Sequence, residues 1–200
     1  MTPLGRLGDA GQAFPIYITV VGGLLFLAFA YFAVGQAAAN RNDAQTAADA
    51  AALAAAQNTR DQLAGAWVKD FQDPKRWQDI FDGIASGLAP SCWRADQLAA
   101  QNDAVVLSCQ HAEPLRYTVK VETLDTVGDS IVPGTENTRS TESATAVIEP
   151  RCLFDPLTDG AEEDKLPVLT CKGEKWELDP EGPMDLLPKP EDLFDVHLAD

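Results

Sequence analysis

The sequence predicts an α+β protein: a long N-terminal transmembrane helix that extends into a small extracytoplasmic domain, with a second helix, a short antiparallel sheet and an irregular acidic C-terminal tail. Three observations predict it. Residues 10–40 contain no charged side chain. A proline-free, alanine-rich stretch follows directly. Beyond residue 104 the apolar residues change from helical spacing to the alternation of strands.

The first element is read from length. Ile16 to Val34, IYITVVGGLLFLAFAYFAV, would rise about 28 Å as a helix, roughly the thickness of a hydrocarbon core. A buried helix of a soluble protein would carry a polar stripe, and none is present. A cleaved export signal is the rival: Arg6 could serve as its charged start and Ala37-Ala38-Ala39 as its cleavage site. The apolar run, however, exceeds the usual about 7–15 residues, and the preceding segment has almost no net positive charge. The expected division is therefore a cytoplasmic N-terminus at 1–13 and a membrane helix at 14–39. Pro15 suits a first helical turn, where its missing N–H costs nothing. Tyr17 and Tyr31 fall toward the two interfaces. Gly22 and Gly23 would admit a second helix at close range, although glycine is common in membrane helices in any case.

Residues 40–73 read as a helical extension. In Ala44–Ala56, AQTAADAAALAAA, nine of thirteen residues are alanine, the strongest helix former. With no proline between Pro15 and Pro74, helix continues toward Phe71, with Asn40-Arg41-Asn42 the place for a kink. Leu63, Trp67 and Phe71 share one face. The alanines, Ala47, Ala48 and Ala51 among them, suit either a bundle of like molecules or a plain stalk.

Residues 74–150 form the expected domain. Pro74 opens a helix whose stripe is Trp77, Ile80, Phe81, Ile84 and Leu88, ended by Gly87 and Pro90; such a stripe is a core face. A short helical turn follows around Arg94–Gln101. Ala104–Cys109 is an apolar strand. In Leu115–Leu124, the residues Leu115, Tyr117, Val119 and Val121 face inward, with Arg116, Thr118, Lys120 and Glu122 outward. Gly128-Asp129 and Pro133-Gly134 mark turns. Glu142–Glu149 is a third strand, with Ala144, Ala146 and Ile148 on one face. Short links imply antiparallel pairing, and one face needs a helical cover, supplied by the distal first helix and the Trp77 helix. Residues 151–200, with six prolines and many acids, read as mostly irregular.

The cysteines, Cys92, Cys109, Cys152 and Cys171, all follow the apolar block. An even set on one side of a membrane segment, without C-x-x-C, reads as a disulfide framework in an oxidising compartment. The neighbour pairings 92–109 and 152–171 are preferred among three possible connectivities. The count of basic residues flanking the span is nearly balanced, so the cysteines decide orientation: N-terminus in the cytoplasm, domain outside.

The net charge is −16, from 15 basic and 31 acidic residues. Such a surface repels phosphate backbones, which argues against nucleic-acid binding, and it disfavours anionic headgroups. No catalytic constellation is visible: the chain lacks G-x-S-x-G, H-E-x-x-H and a glycine-rich phosphate loop. His111 lies near Cys109, but the spacing fits no usual zinc pattern. The acids Glu162-Glu163-Asp164 lack the calcium-loop spacing. The expectation is a non-enzyme with no cofactor.

Gly11–Ala56, GQAFPIYITVVGGLLFLAFAYFAVGQAAANRNDAQTAADAAALAAA, resembles the N-terminal region of the TadE/TadG-like proteins of Flp (Tad) pilus-assembly systems. The most telling part is Gln45–Ala56 placed just after a single membrane helix. The resemblance implies a minor pilin or pseudopilin-like accessory protein of a Tad-type pilus or related secretion machine. It would sit as a single-pass protein in the bacterial cell membrane, held in the bilayer by residues 14–39, with other pilus-assembly or envelope proteins as partners. A helix followed by a small sheet also fits the general pilin plan. Pilin substrates of the prepilin peptidase carry Glu five residues past the cleavage point; counted from Gly11 that residue is Ile16, so the uncleaved, TadG-like members are the better match. The alternative is a stand-alone surface or secreted binding protein whose N-terminal segment is only an export signal.

Overall fold

A computed structural model describes residues 13–126, 137–155 and 166–199. Arg6, the turn dipeptides Gly128-Asp129 and Pro133-Gly134, and Glu162-Glu163-Asp164 lie outside them. Helix α1 (Ala13–Asp70) is one element of 58 residues, about 87 Å long. It passes Asn40-Arg41-Asn42, the expected kink, without interruption. Inside the apolar half, the Thr19 hydroxyl lies 2.8 and 2.9 Å from the Pro15 and Ile16 carbonyls and donates within its own helix, so that its proton does not face lipid unpaired.

The helix that was expected to run from Pro74 to Leu88 is shorter. After a 3-10 turn at Pro74–Arg76, α2 spans only Trp77–Phe81. Gly83 adopts φ +79°. Its N–H bonds the Ile80 carbonyl, while the Ile84 N–H reaches the Asp79 carbonyl, the left-handed glycine termination of a helix. A β-carbon at Gly83 would lie 2.8 Å from Pro114 Cβ and 2.9 Å from Leu115 Cδ2. The glycine thus lets the chain turn tightly against the following hairpin, and Ile84 is left exposed rather than joining the stripe. Helix α3 (Cys92–Gln101) occupies the place of the expected short turn and buries Ala95 and Ala99.

The main sheet is antiparallel, in the order β1 (Ala104–Glu113), β2 (Arg116–Thr123), β3 (Thr141–Pro150) and β7 (Phe194–Leu198). Tyr117 pairs with Ala146 and Val119 with Ala144. Tyr117, Val119, Val121, Ala146 and Ile148 are buried and Ala144 nearly so, on one face, as the alternation requires. That face lies on α1, and α3 packs beside it. A second antiparallel sheet comprises β4 (Cys152–Phe154), β5 (Leu169–Cys171) and β6 (Glu174–Trp176). The C-terminal segment is therefore not mostly irregular where described. It supplies a whole small sheet, the short helix α4 (Pro190–Leu193) and the fourth strand of the main sheet. Its hydrophobic residues are few but well placed: Leu169, Leu193 and Phe194 are fully buried.

Core composition changes along α1. Near the membrane half, the buried apolar positions are Ala44, Ala47, Ala48, Ala51, Ala52, Ala54, Ala55 and Ala56. Methyl groups let the sheet lie close to the helix backbone. Further on the residues enlarge to Leu63, Trp67 and Phe71, where α2, β4 and β7 need a filling. Trp67, Trp77, Phe81, Phe154 and Phe194 form a chain of tilted or edge-on rings with centroids 5.2–6.0 Å apart, the favoured aromatic geometry.

Candidate membrane-anchoring site

The two halves of α1 meet different solvents. From Phe14 to Val34 its large apolar side chains, among them Phe14, Leu25, Phe29 and Phe32, are all exposed. This is the one helix among the described residues long and apolar enough to cross a membrane. An apolar surface this long and continuous on a helix without a polar face matches hydrocarbon, not water. A β-carbon added at Gly22 or Gly23 would meet nothing within 4 Å. Both glycines face open space within this chain and leave their helix surface free.

Ala47, Ala48 and Ala51 lie elsewhere. Each is fully buried, covered by the chain's own sheet and by α3. The alanine half is thus neither a bare stalk nor a seam open to a second molecule. Of the residues read as helix contacts, only Gly22 and Gly23 remain available.

All four cysteines are paired. Cys92–Cys109 joins the start of α3 to β1, with Cα atoms 5.9 Å apart, and Cys152–Cys171 joins directly opposed residues of β4 and β5. Both preferred neighbour pairings are present. They leave no thiolate for a metal at His111, whose ring instead stacks on Tyr117 at 4.5 Å and whose Nε2 contacts the Pro114 carbonyl at 2.8 Å. Among the described residues no group of three His, Cys, Asp or Glu side chains is disposed to hold a metal ion.

Two polar clusters were missed in the sequence. The first sits at the membrane end of the domain. Asn40 Nδ2 donates to the Asp125 carbonyl at 3.1 Å, Thr123 Oγ1 donates to the same carbonyl at 2.8 Å, and the Leu124 N–H bonds the Asp103 carbonyl at 2.7 Å. Arg41 pairs with Glu142 at 2.7 Å. The Asn40 bond ties the end of β2, and the Arg41–Glu142 pair the start of β3, to the point where α1 leaves its apolar half. The second cluster is buried: Thr59 Oγ1 lies 2.7 Å from Ser91 Oγ and 2.8 Å from Tyr117 Oη, with Gln62 Nε2 donating to Ser91 at 3.2 Å. Ser91 has hydroxyl and amide partners, not an imidazole, so this is a locking network of α1, α3 and β2. Its only signal in the sequence was a threonine at helical spacing among alanines and Leu63.

The fold and this surface define a class: a single-pass helix, half bare and apolar, half embedded in an extramembrane α+β head. Residues 11–58 match the family model described as putative Flp pilus-assembly TadE/G-like. The match bears out the resemblance read from Gly11–Ala56 and relates the chain to pilus assembly. It covers the apolar half of α1 and most of the alanine-rich half, ending one residue before Thr59. No curated protein matches the chain, and no solved structure does.

Proposed function

We propose that this protein is a membrane-anchored, non-catalytic accessory subunit of a Tad-type pilus or related secretion machine, of the minor-pilin or pseudopilin-like kind and closest to TadG-like members. Residues 14–39 span the bacterial cell membrane with the N-terminus cytoplasmic. The disulfide-stapled head lies outside, where an oxidising compartment keeps both bridges closed. Assembly with other pilus or envelope proteins runs through the membrane half of α1 at Gly22 and Gly23, because the chain's own sheet covers the alanine half.

The observation that carries this reading is the family match, which spans the junction between the bare and embedded halves of one continuous helix. The test is in-membrane photo-crosslinking from Gly23 in cells that assemble the pilus, with the captured proteins identified by mass spectrometry. Pilus-assembly proteins among the products are the expected result. Cross-links to lipid alone, with normal piliation after deletion of the gene, would refute the proposal.

A further inference from the structure

Val34 is the last of the large exposed apolar side chains on α1. Gly35-Gln36-Ala37-Ala38-Ala39 follows with no charge, and Asn40 is the first buried polar residue. Because α1 is unbroken, Asn40 lies about 9 Å above Val34 along the axis. The polar interface of a bilayer adds roughly 5–7 Å to each side of the hydrocarbon. The level of Asn40 is therefore within a few Å of the outer boundary of the headgroups. Hydrogen bonds put the rest of the domain's near rim at that level: Asn40 to the Asp125 carbonyl, and the Leu124 N–H to the Asp103 carbonyl. A typical helix tilt of about 20° would lower one side of that rim by a few Å more. Leu124 is half-exposed on this rim although apolar, and Gln101 beside it is exposed.

We infer that the rim formed by Gln101–Asp103 and Leu124-Asp125 rests in the headgroup layer, and that the lipid it accepts is zwitterionic. The inference rests on the reading of α1 as a retained membrane span. Three carboxylates, Asp43, Asp103 and Asp125, line the open cleft at this end beside Asn40. The nearby arginines are engaged within the domain, Arg41 by Glu142 and Arg139 by Glu122. An anionic surface would meet uncompensated negative charge there. The contact would fix the height of the head and limit its tilt, so that it meets a partner in one orientation.

The native cysteines are bridged, so single added thiols can be labelled in the full chain. Leu124→Cys, Gln101→Cys and, beyond the far end of α1 and about 45 Å from Asn40, Lys75→Cys are each given a fluorophore. Each is reconstituted in phosphatidylcholine vesicles that contain a headgroup-located nitroxide lipid. Quenching at 101 and 124 but not at 75 is expected, and it weakens when phosphatidylglycerol replaces the phosphatidylcholine. A chain that floats with the vesicles while its rim labels are as unquenched as Lys75→Cys overturns the rim contact and leaves the span intact. A chain that fails to float overturns the span, and the rim contact with it. Quenching undiminished in phosphatidylglycerol overturns the role given to the carboxylates.

Discussion

Replacing Ala51 with leucine tests whether the alanine half of α1 is core. Ala51 is fully buried within the cluster that includes Val119, Ala146 and Ile148. Leucine and alanine have nearly equal helix propensity, so the change reports packing and little else. Leucine brings three further carbons into a space closed by the sheet and by α3. Overpacking of this kind costs about 1–3 kcal/mol. For a head of this size that corresponds to a melting temperature lower by about 4–8 °C for a cost near 2 kcal/mol. The assay is thermal unfolding of the full chain in detergent, followed by near-ultraviolet circular dichroism, which reads the packed tryptophans and not the micelle-bound helix. Ala39→Leu, at an exposed position of the same helix, serves as control and should leave the melting temperature unchanged. Were the alanines an intermolecular seam or a bare stalk, Ala51→Leu would behave like Ala39→Leu. That result would refute the assignment.

Three other changes probe separate contacts. Thr59→Val keeps the shape but removes the centre of the Thr59–Ser91–Tyr117 network; the loss should be about 1–3 kcal/mol in denaturant unfolding, and combining it with Tyr117→Phe should cost less than the sum of the two. Gly83→Ala places a methyl group against Pro114 and Leu115 in a left-handed backbone, and should lower the urea midpoint by the equivalent of more than about 1 kcal/mol; an unchanged midpoint would show that the α2 terminus does not need glycine. Removing either disulfide as a double Cys→Ala variant should cost about 3 kcal/mol, given closed loops with sequence separations of 17 and 19. Thiol titration of the unfolded, unreduced wild-type chain should find no free thiol.

Periodicity carried most of the fold. The inward residues of β2 and β3 were legible because strand side chains alternate strictly, and Tyr117, Val119, Val121, Ala146 and Ile148 are all buried. The membrane half was legible because bilayer thickness sets a length that few other segments reach. Proximity in sequence favoured the cysteine pairing that is present, without excluding the other two connectivities. The second helix was misjudged for a local reason: the Ile84–Leu88 spacing continues the stripe, but the tight approach of Pro114 and Leu115 requires a left-handed residue at Gly83. Composition likewise hid the C-terminal elements, since prolines and acids dominate the segment while the few apolar residues that order it, Leu169, Leu193 and Phe194, are far apart.

The chain by itself thus determined that a helix is long and apolar enough to cross a bilayer, that a sheet follows, and which cysteine pairing is preferred. These are one-dimensional properties, written in run length, spacing and cysteine order. Tertiary structure alone decided what the alanines face, because a methyl-lined helix is equally compatible with a second molecule, with water or with its own sheet. It also decided which polar residues lock the junction and the buried contact of α1, α3 and β2. Asn40, Thr59, Ser91 and Asp125 acquire their partners only when segments distant in sequence are brought together, and no local pattern can encode that meeting.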